Sequence, residues 1–428
     1  MPSQTNRRSV FSWCLYDFAN SAFTTLIVTF VYAMYYSKAF APDEVTGMAW
    51  WSRGIAVSSI FIALLSPFLG AMADQGARKV YLFATTTISI LGCAALYWIT
   101  PGHAFLALAC FVIANIAYEL ACGLYNAYLP DIATEKTIGR VSGYGWALGY
   151  GGGLLAMFAA LVLFIYPETP WFGFAKENGE AIRASCLLVA VWYALFSIPM
   201  FLWVKDRPLA QPSAATSIRK SFTQLKTTFA EIRKYRPVVQ FLAARLIFND
   251  GLVTIFAFGS IYAAGSFAFS TNEIMIFGII VNVAAGLGAF GLGFLDDYLG
   301  AKRTIQISLV GLIVASALAI LTHQKMGLYL AGVLIGIFAG PTQSASRSLM
   351  GRLVPPEKEN EFFGFFTFSG KATAFLGPTL VGLFAEQFQS QRAGLSVVVV
   401  FFIVGGILLH FVPEKMGKTM AENLSGQS

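Results

Sequence analysis

Apolar runs of about 20 residues or more, each long enough to cross a bilayer as a helix, follow one another along the chain with only short polar breaks between them. In hydrocarbon the backbone must bond to itself, so such runs are committed to helix. They lie near 12–37, 50–73, 79–100, 104–128, 141–166, 184–204, 238–266, 271–295, 303–323, 327–350, 361–385 and 393–413. The expected fold is an all-α membrane protein with twelve transmembrane helices. Composition agrees, since hydrophobic residues make up 57% and charged residues 12% of the chain, against roughly 25% charged in soluble domains.

The net charge of +7 does not indicate nucleic acid, because the basic residues sit in the breaks between apolar runs and not in one patch. It reads as a topology signal. Lys and Arg concentrate on the side of Arg7 and Arg8, so both termini are expected in the cytoplasm of a cell whose inner membrane holds the protein. Arg7 and Arg8 precede a segment too long and too aromatic for a signal core, so the first helix is expected to stay. The five cysteines fall inside apolar runs without metal-ligand spacing, and neither disulfide nor zinc is indicated. No zinc-helix, hydrolase-elbow or phosphate-loop motif occurs. An enzyme is not expected, and no cofactor is called for.

One polar break recurs. Gly70, Asp74, Arg78 and Lys79 return as Gly293, Asp297, Gly300, Lys302 and Arg303, with Gly293 displaced by 223 positions from Gly70. The pair Gly143 and Gly149 returns as Gly364 and Gly370, displaced by 221. Two echoes whose displacements agree to within two positions predict two parallel six-helix repeats, residues 1–204 and 237–428. The connection between them, 205–236, is expected on the cytoplasmic side, with Ile218 to Ile232 able to form an amphipathic helix on the membrane surface. A plain solvated connector near anionic lipid is the alternative.

Charge inside a span is costly unless it faces a cavity or a partner, so each case is a candidate site. The cases are Asp17, Glu119, Arg245, Asp250, Arg347 and Lys371. Asn20 shares a helix face with Asp17, and Asn249 accompanies Asp250. Acids dominate the first half and cations the second. That asymmetry suits a zwitterionic solute: Arg347 or Lys371 for a carboxylate, and Asp17, Glu119 or Asp250 for an amine or a coupling proton. Pairing across the halves, to hold one conformation shut, is an equally open reading. The repeated Gly-Asp-basic breaks are expected to be gate latches, with Asp74 placed to cap a helix terminus.

The breaks resemble the loop signature of the major facilitator superfamily, G-x-x-x-D-x-x-G-R-K. The first copy departs from it, with Ala77 at the second glycine and Gly76 one place early. Tyr16-Asp17-Phe18-Ala19-Asn20-Ser21-Ala22-Phe23, with Asp74-Gln75-Gly76, is similar to the branch containing the fungal vacuole effluxers of the autophagy-related protein 22 family and their bacterial relatives. The resemblance implies gradient-driven secondary transport by alternating access, with amino-acid export proposed for the fungal members. The expected function is thus transport of a small solute, amino-acid-like and proton-coupled, by a monomer in contact with membrane lipid. Drug or metabolite export on the same fold, and a non-transporting sensor or scaffold, are the alternatives.

Overall fold

The computed structural model describes residues 6–206 and 218–413, and among these no strand occurs. The chain enters as α1 (Arg7–Ala22), which passes through a wider π-helical stretch, Phe23–Phe30, into α2 (Tyr32–Ala39). There follow α3 (Glu44–Asp74), α4 (Arg78–Ala95), α5 (Ala104–Asn126), the single turn α6 (Leu129–Ile132), α7 (Ile138–Ala160) and α8 (Glu180–Trp203). The described part of the connection holds α9 (Ile218–Ala230), and then come α10 (Arg236–Phe267), α11 (Thr271–Leu299), α12 (Ala301–Leu321), α13 (Lys325–Leu353), α14 (Glu359–Lys371), α15 (Leu376–Gln387) and α16 (Gln391–His410).

Among the described residues, ten helical stretches are long and apolar enough to cross a membrane. Two of the twelve expected spans are not among them. The run near 79–100 forms α4, which is short and gives way to turns after Ala95. The run near 361–385 is two helices separated by turns at 372–375. Pro378 supplies the reason: it has no N–H to offer Ala374, and its ring crowds that carbonyl. Lys371 therefore ends a helix instead of lying within one.

Side chains sort by solvent. Leu64, Leu91, Leu106, Leu202, Val310, Val314 and Ile407 are exposed, as lipid-facing positions must be. Inside, one core gathers Trp13, Tyr16, Tyr125, Tyr128 and Tyr193, and a second gathers Phe241, Phe248, Phe363 and Phe402. The cores meet along two seams, α3 against α14 and α7 against α11. Glycines set the approach: a Cβ on Gly364 would strike the backbone of Ser66 and Pro67, and one on Gly293 would lie 3.2 Å from the Arg140 Cα. Both seams are tight toward the side carrying Arg7 and the α9 connection, called here the linker side. Beyond the 372–375 turns α15 packs on α16 and α10 instead of α3, so the halves part toward the far side.

Candidate functional site

On the linker side the two echoed breaks do the same job on opposite seams. Asp74, ending α3, accepts hydrogen bonds from the backbone N–H groups of Asn360 and Glu361, each at 2.9 Å, and from the Asn360 side chain at 2.8 Å. It thereby caps the N-terminus of α14, where the helix dipole favours an anion. Asp297, near the end of α11, accepts from the backbone N–H of Gly139 at 2.8 Å and of Arg140 at 3.3 Å, and from Arg140 Nε at 2.5 Å. It caps α7 in the same way. Gly70 and Gly293 are the close-approach points beneath these carboxylates.

The basic members of the breaks work mostly within their own halves. Lys79 Nζ donates to the carbonyl of Val204 at 2.7 Å, past the end of α8. Lys302 Nζ donates to the carbonyls of His410 at 2.9 Å and Val412 at 2.7 Å, at the end of α16. The two lysines are one contact repeated. Arg303 is exposed, and Gly300 turns the chain at φ +91°. Arg78 is buried, stacks 3.6 Å from the Tyr128 ring centre, pairs with Asp131, and lies 3.5 Å from Asp206. It also comes within 3.9 Å of Glu359 across the seam.

Midway along the bundle, the opposite charges of the two halves meet. Arg347 of α13, 2% exposed, donates to Asp17 at 2.9 Å, Asn126 at 3.1 Å, Ser142 Oγ at 3.0 Å and the Ser142 carbonyl at 2.7 Å. Its guanidinium lies 4.5 Å from the Trp13 ring centre. Lys371 pairs with Glu119 of α5 at 2.6 Å. Arg245 of α10 makes different bonds: it donates to the Phe366 carbonyl at 2.8 Å and Ser369 Oγ at 2.7 Å, and stacks 3.6 Å from the Phe366 ring. Among the described residues no carboxylate forms an ion pair with it.

Beside Arg245 and Arg347 lies a small cavity of about 90 Å³, with Asn126, Trp146, Arg245, Asn249, Gln343 and Arg347 in its wall. Its two charged lining residues are both arginines. Trp146 Nε1 and Gln343 Oε1, on two of the lining residues, are buried without a hydrogen-bond partner among the described residues. Asn20 is buried in α1 with its amide nitrogen unpartnered, and Asp250 is buried on α10 facing Thr373 of the turn between α14 and α15. Neither lines the cavity. No group of metal-ligating side chains occurs among the described residues.

Sequence reasoning did not find Arg140, Asp131, Asp206, Glu359 or Trp146. One signal was available for the first: Gly139 and Arg140 stand 221 positions before Asn360 and Glu361, the register already carried by the glycine pairs.

Membrane-crossing helices in two cores, seamed on one side around a polar cavity, define a transporter of the major facilitator type. The fold of the FucP transporter in its outward conformation matches with a TM-score of 0.71 at 15% identity, covering 96% of this chain and all of that one. The proton:xylose symporter XylE matches at 0.72 and 13% identity, covering 95% of both chains. The family model described as vacuole effluxer Atg22 like matches residues 37–422, and the chain belongs to that family. It is 27% identical to the uncharacterized MFS-type transporter YxiO of Bacillus subtilis over 415 residues, 96% of each chain. It is 24% identical to autophagy-related protein 22 of Saccharomyces cerevisiae over 450 residues, 92% of this chain and 83% of that one. The match to the Yarrowia lipolytica protein spans 56% of that relative's length.

Proposed function

We propose that the chain is a secondary active transporter working by alternating access, and that it carries a small amino-acid-like solute through the central cavity. The observation that carries this reading is Arg245, a cavity cation bonded to a carbonyl and a hydroxyl but, among the described residues, to no carboxylate. A solute carboxylate would complete it, with the open Trp146 N–H as a second donor. Gln343 Oε1 offers the solute's ammonium an acceptor.

In this reading residues 1–204 and 237–428 are two six-helix halves, making twelve spans with the broken α14–α15 segment as one of them. The linker side is cytoplasmic, in a bacterial inner membrane. Asp74 and Asp297 are latches that close it, and the described arrangement opens to the far side. Proton coupling falls to Asp17 or Glu119, because a proton on either would release Arg347 or Lys371 from its pair across the halves.

The test is a thermal-shift screen of the purified protein with amino acids, followed by counterflow in liposomes. An amino acid should raise the melting temperature and exchange across the membrane. Arg245→Ala should weaken its binding by about 10- to 100-fold, the value of a hydrogen bond to a charged group. If no amino acid shifted stability and counterflow failed for all, the substrate reading would fall.

A further inference from the structure

The helix α9 is inside out for a helix surrounded by water. Ser221 is 0% and Thr228 4% exposed, while Ile218, Phe222 and Phe229 are 60%, 62% and 57% exposed. The polar edge faces protein. Ser221 Oγ accepts from Gln75 at 2.7 Å, Gln224 donates to Glu361 at 2.7 Å, and Thr228 Oγ1 accepts from Lys358 at 2.7 Å. One short helix is thus bonded to both seam helices, α3 through its end and α14 through its start. Its outward phenylalanines flank the same pair, Phe222 against Phe68 at 4.9 Å and Phe229 against Phe365 at 5.6 Å between ring centres.

At 100° per residue, Leu225, Ile218, Phe229 and Phe222 fall within one narrow sector, and Lys226 and Arg219 follow along its border. Beyond the helix come Arg233, Lys234 and Arg236. The one acid between residues 218 and 236, Glu231, is bonded by Lys234 at 2.8 Å. An apolar sector bordered by cations suits a bilayer interface, where the rings enter the acyl boundary and the long basic side chains reach back to the headgroups.

We infer that α9 is a binding surface for anionic lipid, lying in the interface of the linker-side leaflet while its polar edge joins the two halves. Charge selects the lipid: each basic side chain near an anionic leaflet favours it by a factor of about five, and a zwitterionic surface offers no such gain. This holds whatever solute the cavity takes.

The test uses the full chain, with native cysteines replaced and a spin label on Phe222→Cys, Phe229→Cys or Thr227→Cys, in phosphatidylcholine nanodiscs with and without phosphatidylglycerol. Labels at 222 and 229 should meet dissolved oxygen and be shielded from a water-soluble nickel chelate, and the label at 227 should behave oppositely. Spin-labelled phosphatidylglycerol should be immobilised in preference to phosphatidylcholine, and the preference should fall several-fold in the unlabelled-protein variant Arg219→Gln/Lys226→Gln. Equal chelate access at 222 and 227 would overturn the inference, as would an unchanged lipid preference in that variant. Dipolar broadening between copies, the sign of a second chain covering the face, would also overturn it.

Discussion

Asp74→Asn is the sharpest probe of how the linker side stays shut. The carboxylate uses both oxygens on α14, one for Asn360 N–H and its side-chain amide, the other for Glu361 N–H. An asparagine keeps the shape but turns one of these positions into a donor facing a donor. The change removes one charge-assisted hydrogen bond, worth about 1.5–3 kcal/mol, and the attraction between an anion and a helix N-terminus, worth about 0.3–1 kcal/mol when exposed and up to about 2 kcal/mol when partly buried. Taking about 3 kcal/mol for the sum, the ratio of closed to open linker side should fall roughly 150-fold. The assay is the distance distribution between spin labels on Lys136→Cys and Glu357→Cys, exposed positions on the linker side of the two halves. A second, longer distance should appear in Asp74→Asn. Asp297→Asn should produce the same species, since Asp297 caps α7 on the other seam, and the two effects should add because they share no partner. A distribution identical to that of the unmodified latch, with the protein folded, would refute the capping argument.

Other perturbations have equally definite outcomes. Ala77 stands at φ +60°, where a side chain costs about 1–2 kcal/mol. Ala77→Gly removes that strain at an unfolded-state cost of about 0.4–1 kcal/mol, so the melting temperature should rise slightly. Gly364→Leu places a side chain against the Ser66 and Pro67 backbone and should hold the α3–α14 seam apart, read as the longer label distance without loss of fold. Lys79→Met and Lys302→Met each delete a tether to carbonyls at the end of α8 or α16; both should lower thermal stability by about 1 kcal/mol or more while leaving the label distance unchanged.

Some of this was legible because it is local or periodic. Apolar runs announce helices, and Gly-x-x-x-Asp announces a close approach followed by an anion, so Asp74 and Asp297 could be marked without a partner in view. The partners were harder to find, because each lies on a helix whose neighbours only packing decides: Asp17 and Arg347 are 330 positions apart. The break between α14 and α15 was half visible, since Pro378 is in the sequence but the place where the helix yields depends on what packs beside it. Gln343 could be marked as cavity lining from its place four residues before Arg347, whereas Trp146 carried no signal at all. An unpartnered indole or amide is a property of the cavity around it, and a sequence lists side chains without saying which are left over.

The two ion pairs tie substrate binding to gating if the proposed cycle holds. Arg347 reaches Asp17 and Asn126 of the first half from the second, and Lys371 reaches Glu119 in the same direction. Opening the linker side must draw these helices apart, and a buried pair broken without replacement leaves a charge uncompensated, at a cost of about 3–5 kcal/mol. A solute that brings its own carboxylate to Arg245 and Arg347 lowers that cost on the cationic wall, and a proton on Asp17 lowers it on the acidic one. Asp17→Asn, which mimics the protonated acid, should then bind solute and open without dependence on pH. Arg347→Lys, which keeps the charge but loses the fork that reaches Asp17, Asn126 and Ser142 together, should lose affinity and proton response at once. If Arg347→Lys kept both, Arg347 would be a packing element of the closed bundle, and Arg245 alone would bear the solute.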